Sequence, residues 1–502
     1  MTPALVTVVL GLGLAGAFPT CVVVRCTPVV VFLAPLVGAV LAAVAVELEL
    51  VLDGPFLLWF LVVVAAVNGG AFCLRRSVGG GRAPWGTGSS WKWFLVTVGV
   101  LVGVMVLPLA GLRTPLIGFD TNAIWLTHTL LVSGGHHTLL AGMQNPAYVT
   151  AHPDYPPLVP AAGALAFALF GTGTLRVAVE VTALLNACAV GVVGVGIASI
   201  GAGGRQAART VALIVAAVLC LVGFAVAGDY AVNGYADLLW SAAAVGAVVW
   251  GLVLPRNRQA LAVAWACAMV AGLTKNEGLL TSLVVLVLIS LRYVPVRWPR
   301  PGGHTTTATA DRTRRAEARG WVRRAVSVVG PALPGLIWVG LVRHDGISDA
   351  FFAKTTSESI ALRARATTAG MAVHLAVVPV ALVVLAIGCG YLRADRVRVG
   401  IATPAWLWAA WIGALAGIAG TYVLGSPEIH WWLQTSDDRT TIFPVFLLYA
   451  DLAVWLVVAT DGLLTATGRR STGGGTAAGA TGTTPAGPGG LDAEGPVPAA
   501  TT

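Results

Sequence analysis

The 502-residue chain is 57% hydrophobic and only 11% charged, and it carries a formal net charge of +9. Soluble proteins hold roughly 25% charged residues, so this composition excludes a soluble globular protein and marks a polytopic membrane protein. The seven cysteines are scattered with no C-x-x-C pair, which excludes a disulfide framework or a cysteine metal cluster.

A helix crosses the hydrocarbon core of a bilayer with about 17–25 apolar residues. Stretches of that kind fall at 3–19, 28–46, 56–74, 93–111, 176–200, 207–227, 236–254, 259–274, 278–292, 325–343, 371–392, 402–424 and 441–461. Residues 3–19 end in A-G-A at Ala15 to Ala17, as a signal peptide would, but no basic residue precedes them, and they read as a membrane helix. The stretch 158–171, L-V-P-A-A-G-A-L-A-F-A-L-F-G, is too short to span and reads as a re-entrant or interfacial helix. The expected fold is an all-α polytopic membrane protein with about 13 transmembrane helices and that interfacial helix in the first large external loop, 112–175.

Lys and Arg of short loops stay cytoplasmic. Placing 112–175 outside puts 23 of the 31 basic residues inside, among them the nine arginines from Arg292 to Arg324. The net positive charge then belongs to loops at an anionic leaflet, so the partner is the lipid bilayer and not nucleic acid. The Gly-, Ala- and Thr-rich tail 466–502 is expected to be disordered, because it buries too little apolar surface to offset ordering entropy, and 299–320 within the cytoplasmic loop 293–324 is expected to be loose too.

Against this background the polar island 118–160 stands out, with four of the eight histidines and two carboxylates, Asp120 and Asp154. Ionisable groups near lipid are costly and mark functional sites. Other outer loops supply Asp229 and Asp237 in G-D-Y-A-V-N-G-Y-A-D, Lys275 and Glu277 in L-T-K-N-E-G, Lys354 and Glu358, and then Glu428, His430, Asp437, Asp438 and Arg439. All fall on one membrane face, which makes one convergent site the economical expectation.

In order and sidedness these elements resemble the GT-C glycosyltransferases, polytopic enzymes that include protein O-mannosyltransferases, aminoarabinose transferases and oligosaccharyltransferase catalytic subunits. The likeness covers about 93–460 and rests on G-F-D at Asp120, Y-P-P-L at Tyr155 to Leu158, L-F-G at Leu169 to Gly171, and G-Y-A-D at Asp237. L-T-K-N-E-G at Leu273 to Gly278 and D-R-T-T-I-F-P at Asp438 to Pro444 complete it. Two features depart from the family pattern. Residues 1–92 add N-terminal transmembrane helices ahead of a 93–465 catalytic core, and Asp229 to Asp237 is longer than a D-x-D, which leaves a divalent cation optional and no residue assigned to a metal.

The resemblance implies transfer of a hexosyl or pentosyl group from a polyprenyl-phosphate sugar donor to a glycan, lipid or protein acceptor, on the extracytoplasmic side of the plasma membrane. Asp120 would be the general base and Asp237 the second catalytic acid. Lys275 and Arg439 would stabilise the departing phosphate, while His152, Asp154, Tyr155, Asp229, Glu277 and His430 would bind substrate. Each residue also has a plainer role. Asp120 suits a helix N-cap, H-P-D-Y-P-P a turn, Lys275 a snorkelling cation, and Arg439 a partner of Asp437 or Asp438. The competing reading is a transporter or flippase of a lipid-linked or polar substrate, which would use charges within spans such as Glu180 and Asp451.

Overall fold

The computed structural model describes residues 2–24, 27–77, 88–110, 117–171, 175–202, 206–293, 307–347, 358–375, 404–425 and 427–473. Every regular element among them is helical, as expected where backbone polar groups must be satisfied without water. In chain order these are α1 (Pro3–Val24), α2 (Val29–Leu52), α3 (Phe56–Ser77), α4 (Gly88–Leu109), the short α5 (Thr127–Ser133) and α6 (His136–Gln144), then α7 (Leu158–Phe170), α8 (Leu175–Ile200) and α9 (Gln206–Ala227). There follow α10 (Asp237–Val253), α11 (Arg258–Thr274), α12 (Asn276–Tyr293), α13 (Thr307–His344), α14 (Ile360–His374), α15 (Pro404–Leu424), α16 (Ile429–Thr440) and α17 (Ile442–Gly473).

Among the described residues, 10 helices are long and apolar enough to cross a membrane, so the chain is a multi-pass membrane protein. Two further expected spans, 236–254 and 259–274, form the shorter apolar helices α10 and α11. The span expected at 371–392 lies mostly outside the described residues, as does the tail from 474 onward. Two stretches expected to be loose are partly helical. α13 begins at Thr307, within the stretch 299–320, because A-D-R-T-R-R-A-E-A-R is built from strong helix formers. α17 continues past 466 to Gly473.

Residues 1–461 form one compact unit. In its most apolar window α8 is 83% buried and α2 78%, against 17% for α3 and 22% for α4. The first pair is core; the second turns its apolar faces outward, as a bilayer requires. α1 and α2 cross without side chains between them: a Cβ on Gly16 would strike the Ala34 carbonyl, and one on Gly38 the Leu12 carbonyl. The short α7, expected as a re-entrant or interfacial helix, is enclosed in the bundle. Leu158 to Phe167 are all buried, against α2, α5 and α8. Pro160 sits in its first turn, where a missing N–H is harmless.

Candidate active site

The H-P-D-Y-P-P segment delivers the chain into α7 through a β-turn, in which the Tyr155 N–H donates to the His152 carbonyl at 3.0 Å with Pro153 at the second position. His152 takes a left-handed φ of 49° and stacks on Tyr155, centroids 4.7 Å apart, with Trp125 on Tyr155 at 5.7 Å. Burial, aided by the charges of Lys275, His128 and Arg439, pushes His152 down to about 3, and burial pulls His128 down to about 4. Burial also raises the Tyr155 phenol well above its ordinary value, so this wall of the site is uncharged at neutral pH. Asp154 Oδ2 accepts from Asn276 Nδ2 at 2.6 Å, and its carbonyl accepts from the Trp338 indole at 2.9 Å.

In L-T-K-N-E-G, α11 ends at Thr274 and α12 begins at Asn276, leaving Lys275 alone extended at φ −157°, ψ 154°. Gly278 allows so tight a hairpin because any Cβ there would strike the Ala271 carbonyl. The break turns the Lys275 side chain inward. Its Nζ lies 2.9 Å from Asp237 Oδ1, 3.5 Å from Glu277 Oε1 and 5.5 Å from the Tyr155 ring centroid. Asp237 opens α10, where a carboxylate meets the positive end of the helix dipole. Asp237 and Lys275 are both buried, so removing either charge strands the other.

G-D-Y-A-V-N-G-Y-A-D folds about its N-G pair. Gly234 has φ +91° and packs on Thr121, the Tyr235 N–H donates to Asn233 Oδ1 at 3.2 Å, and the Thr121 hydroxyl donates to the Asn233 carbonyl at 2.6 Å. This places the Tyr230 and Tyr235 rings 5.1 Å apart, and the Tyr235 hydroxyl accepts the Asp120 N–H at 3.3 Å. Asp120 stands before the π-helix Thr121–Leu126, but its side chain makes no cap bond. It pairs instead with Nη1 of Arg439. Arg439 Nη2 donates to the Thr435 carbonyl at 2.6 Å, and the guanidinium lies 5.3 Å over the Tyr235 ring. The charge of Asp237 also acts on Arg439, which links the two acid–cation pairs.

Eight sequence candidates thus come together: Asp120, His152, Asp154, Tyr155, Asp237, Lys275, Glu277 and Arg439. Two do not join them. Asp229 is exposed on the wall of an adjoining cleft of about 620 Å³, shared with Asp438. His430 is exposed at the opposite end of α16, about 13.5 Å along the helix axis from Arg439 at 1.5 Å per residue. The Arg439 guanidinium pairs with Asp120, whereas Asp438 Oδ1 accepts the Arg439 backbone N–H at 2.8 Å and its Oδ2 accepts the Tyr230 hydroxyl at 2.6 Å. The Glu358 carboxylate accepts from Arg363 and from the Ile429 N–H, so it ties helix ends together; Lys354 lies outside the described residues. Tyr230, Tyr235, Asn233 and Asn276 are the residues that sequence reasoning passed over. The signal for three of them was the N-G pair flanked by tyrosines in the same ten residues as both aspartates.

Among the described residues no three His, Cys, Asp or Glu side chains gather as a metal-ligand set; the clustered carboxylates face Arg439 and Lys275. No family model, curated protein or solved structure matches the chain.

Proposed function

We propose that the protein is a membrane glycosyltransferase that moves a sugar from a polyprenyl-phosphate donor to an acceptor on the extracytoplasmic side of the plasma membrane, as the GT-C resemblance implies. One observation carries this reading. Asp120 and Arg439, 319 residues apart, meet at helix ends of an otherwise apolar bundle and set a proton acceptor beside an anion-binding cation.

In the reaction an acceptor oxygen bonds to the anomeric carbon of the sugar as the bond from that carbon to the phosphate oxygen breaks. Asp120 takes the acceptor's proton. The charge left on the lipid phosphate falls to Arg439, whose Nη1 and Nη2 bonds use two of the five N–H donors of a guanidinium. Lys275 adds positive charge nearby, and Asp237 is its positioning partner. The neutral His152–Tyr155 stack supplies an aromatic wall that competes for no proton.

The test is reconstitution in vesicles with a panel of radiolabelled polyprenyl-phosphate sugars, comparing the native chain with Asp120→Asn. Donor-dependent transfer that Asp120→Asn leaves undiminished would remove Asp120 as the base. One observation favours the transporter: Glu49 of α2 is fully buried, and neither of its carboxylate oxygens is hydrogen-bonded by a described residue. Substrate flux with no transfer from any donor would establish that reading instead.

A further inference from the structure

The cleft of about 620 Å³ beside the Asp120–Arg439 pair has a chemistry of its own. It runs between the end of α9 and the α16–α17 junction, and both flanking segments are long and apolar enough to cross a membrane. Asp438, Thr441, Ile442, Val445 and Tyr449 follow one another at helical spacing and form a single stripe about 16 Å long. At one end stand polar groups, Asp229, Tyr230 and Asp438; toward the other the wall is Val226, Val445 and Tyr449. Within the stretch 441–450, Val445 and Tyr449 are the half-exposed side chains while their neighbours are buried, so they are what an occupant would touch.

The charge of the lining is one-sided. It holds two carboxylates, and among the described lining residues there is no lysine, arginine or histidine. A phosphate head would meet repulsion there and no compensating donor cation. Hydroxyl groups fit instead: they donate to the carboxylates and to the oxygens of Tyr230 and Thr441, whose own protons go to Asp438 and to the carbonyls of Asp437 and Asp438, and the tyrosine rings offer apolar faces. No described residue hydrogen-bonds the Asp229 carboxylate, which stands exposed at the polar end.

We infer that this cleft binds an uncharged, hydroxyl-headed amphiphile, a glycolipid, with its head at Asp229 and Asp438 and its chain along Val445 and Tyr449. The inference rests on the glycosyltransferase reading in one respect: it assigns the cleft to the acceptor and makes that acceptor lipid-borne. Tyr230 connects the cleft to the reaction centre, since it lies in the lining, bonds Asp438 and packs on Tyr235, whose hydroxyl holds the backbone of Asp120. An acceptor hydroxyl at the polar end therefore lies on the side of the cleft that adjoins the proposed base. The donor's phosphate belongs with Arg439, outside this lining.

The experiment is photolabelling of the full chain in phospholipid nanodiscs, with a diazirine-bearing octyl glucoside or the matching diazirine-bearing octyl phosphate, followed by peptide mapping. The glucoside label is expected on peptides carrying 225–230 and 438–449, displaced by unlabelled octyl glucoside, and reduced about fivefold or more in Val445→Trp, which fills the cleft. Tyr449→Ala, which removes the wall without adding bulk, gives the same reduction and serves if Val445→Trp fails to fold. Glucoside label spread evenly over lipid-facing helices, or octyl phosphate labelling the cleft as strongly, would overturn the inference. Cleft labelling without transfer from any polyprenyl-phosphate sugar leaves the site standing and removes the enzyme reading. Transfer to soluble peptides alone does the reverse.

Discussion

Arg363 and Arg439 are both buried arginines that pair with a carboxylate near the end of a helix, yet they do different things with their donors. Arg363 saturates itself. Nε donates to the carbonyls of Tyr422 and Val423 at 3.1 Å, Nη1 to Glu358 at 2.6 Å and to the Pro427 carbonyl at 2.8 Å, and Nη2 to the Tyr422 carbonyl at 2.6 Å. It thereby caps the last turn of α15, while Glu358 accepts the first N–H of α16, that of Ile429. Arg439 bonds one carbonyl and one carboxylate. A guanidinium whose every nitrogen is taken by backbone is a structural cap; one held by two bonds in a site with a second acid–cation pair has capacity for a ligand.

The largest expected effect tests the structural side. Arg363→Met should destabilise the protein by about 3–5 kcal/mol, because it leaves several helix-end carbonyls and the Glu358 carboxylate unpaired. Loss of folded protein in a fluorescence thermal-shift assay would show this, and a wild-type melting curve would break the contrast. Lys275→Met should cost a similar amount, roughly 3–5 kcal/mol, by stranding Asp237 in the interior. If the pair is a unit, adding Asp237→Leu to Lys275→Met recovers part of the loss, whereas two independent sites would add.

Arg439→Lys should do the opposite of Arg363→Met. Its melting curve stays within about 2 kcal/mol of wild type while sugar transfer falls about 100-fold, since a lysine cannot hold Asp120 and a phosphate in one plane. Equal losses of stability and activity would instead class Arg439 with Arg363.

Acid separates the two regions further. His152 is held down to about 3 and His128 to about 4, whereas the partners of Arg363 are an acid and backbone carbonyls. An unfolded histidine titrates near 6.5, so between about 6.5 and those folded values the unfolded chain binds more protons and stability falls as pH drops. The slope is roughly 1.4 kcal/mol per pH unit for each histidine, or about 2 kcal/mol each at pH 5. His128→Phe combined with His152→Phe should flatten the fall in melting temperature between pH 7 and pH 5; an unchanged fall would place the acid sensitivity elsewhere. The smallest effect belongs to Tyr235→Phe. It removes the hydroxyl that receives the Asp120 N–H, at about 0.5–1.5 kcal/mol, and should lower transfer only several-fold.

Much of the bundle was legible because a membrane helix is a length of apolar chain, and length survives in sequence. The same rule left α7 open: thirteen residues are too few to cross a bilayer, but nothing in them says whether their partner is lipid or protein. Of the site, the acids and cations could be found from the rarity of charge in the outer loops. Their pairing could not, because Asp120 and Arg439 are joined only by tertiary folding. His430 was drawn in by its nearness to Arg439 in sequence, a nearness that a helix stretches along its axis. Tyr235 was passed over for the opposite reason. A tyrosine beside a span reads as interfacial belt until a specific hydrogen bond shows otherwise.

The burial of α2 bears on how this chain could be divided. A cut at residue 92 looks natural in sequence, with the resemblance starting at 93, but it would remove a helix that packs on α7, α8 and α11. Lipid tails are as apolar as leucine, so the faces laid bare would incur little penalty for meeting the bilayer. What would be lost is shape. Ala39, Ala42, Ala43 and Ala45 let neighbouring helices approach closely, and mobile acyl chains fill such hollows poorly. A chain begun at 93 would be expected to insert and then wander among arrangements, and grafting 93–465 onto foreign N-terminal helices would succeed only where these small residues are reproduced.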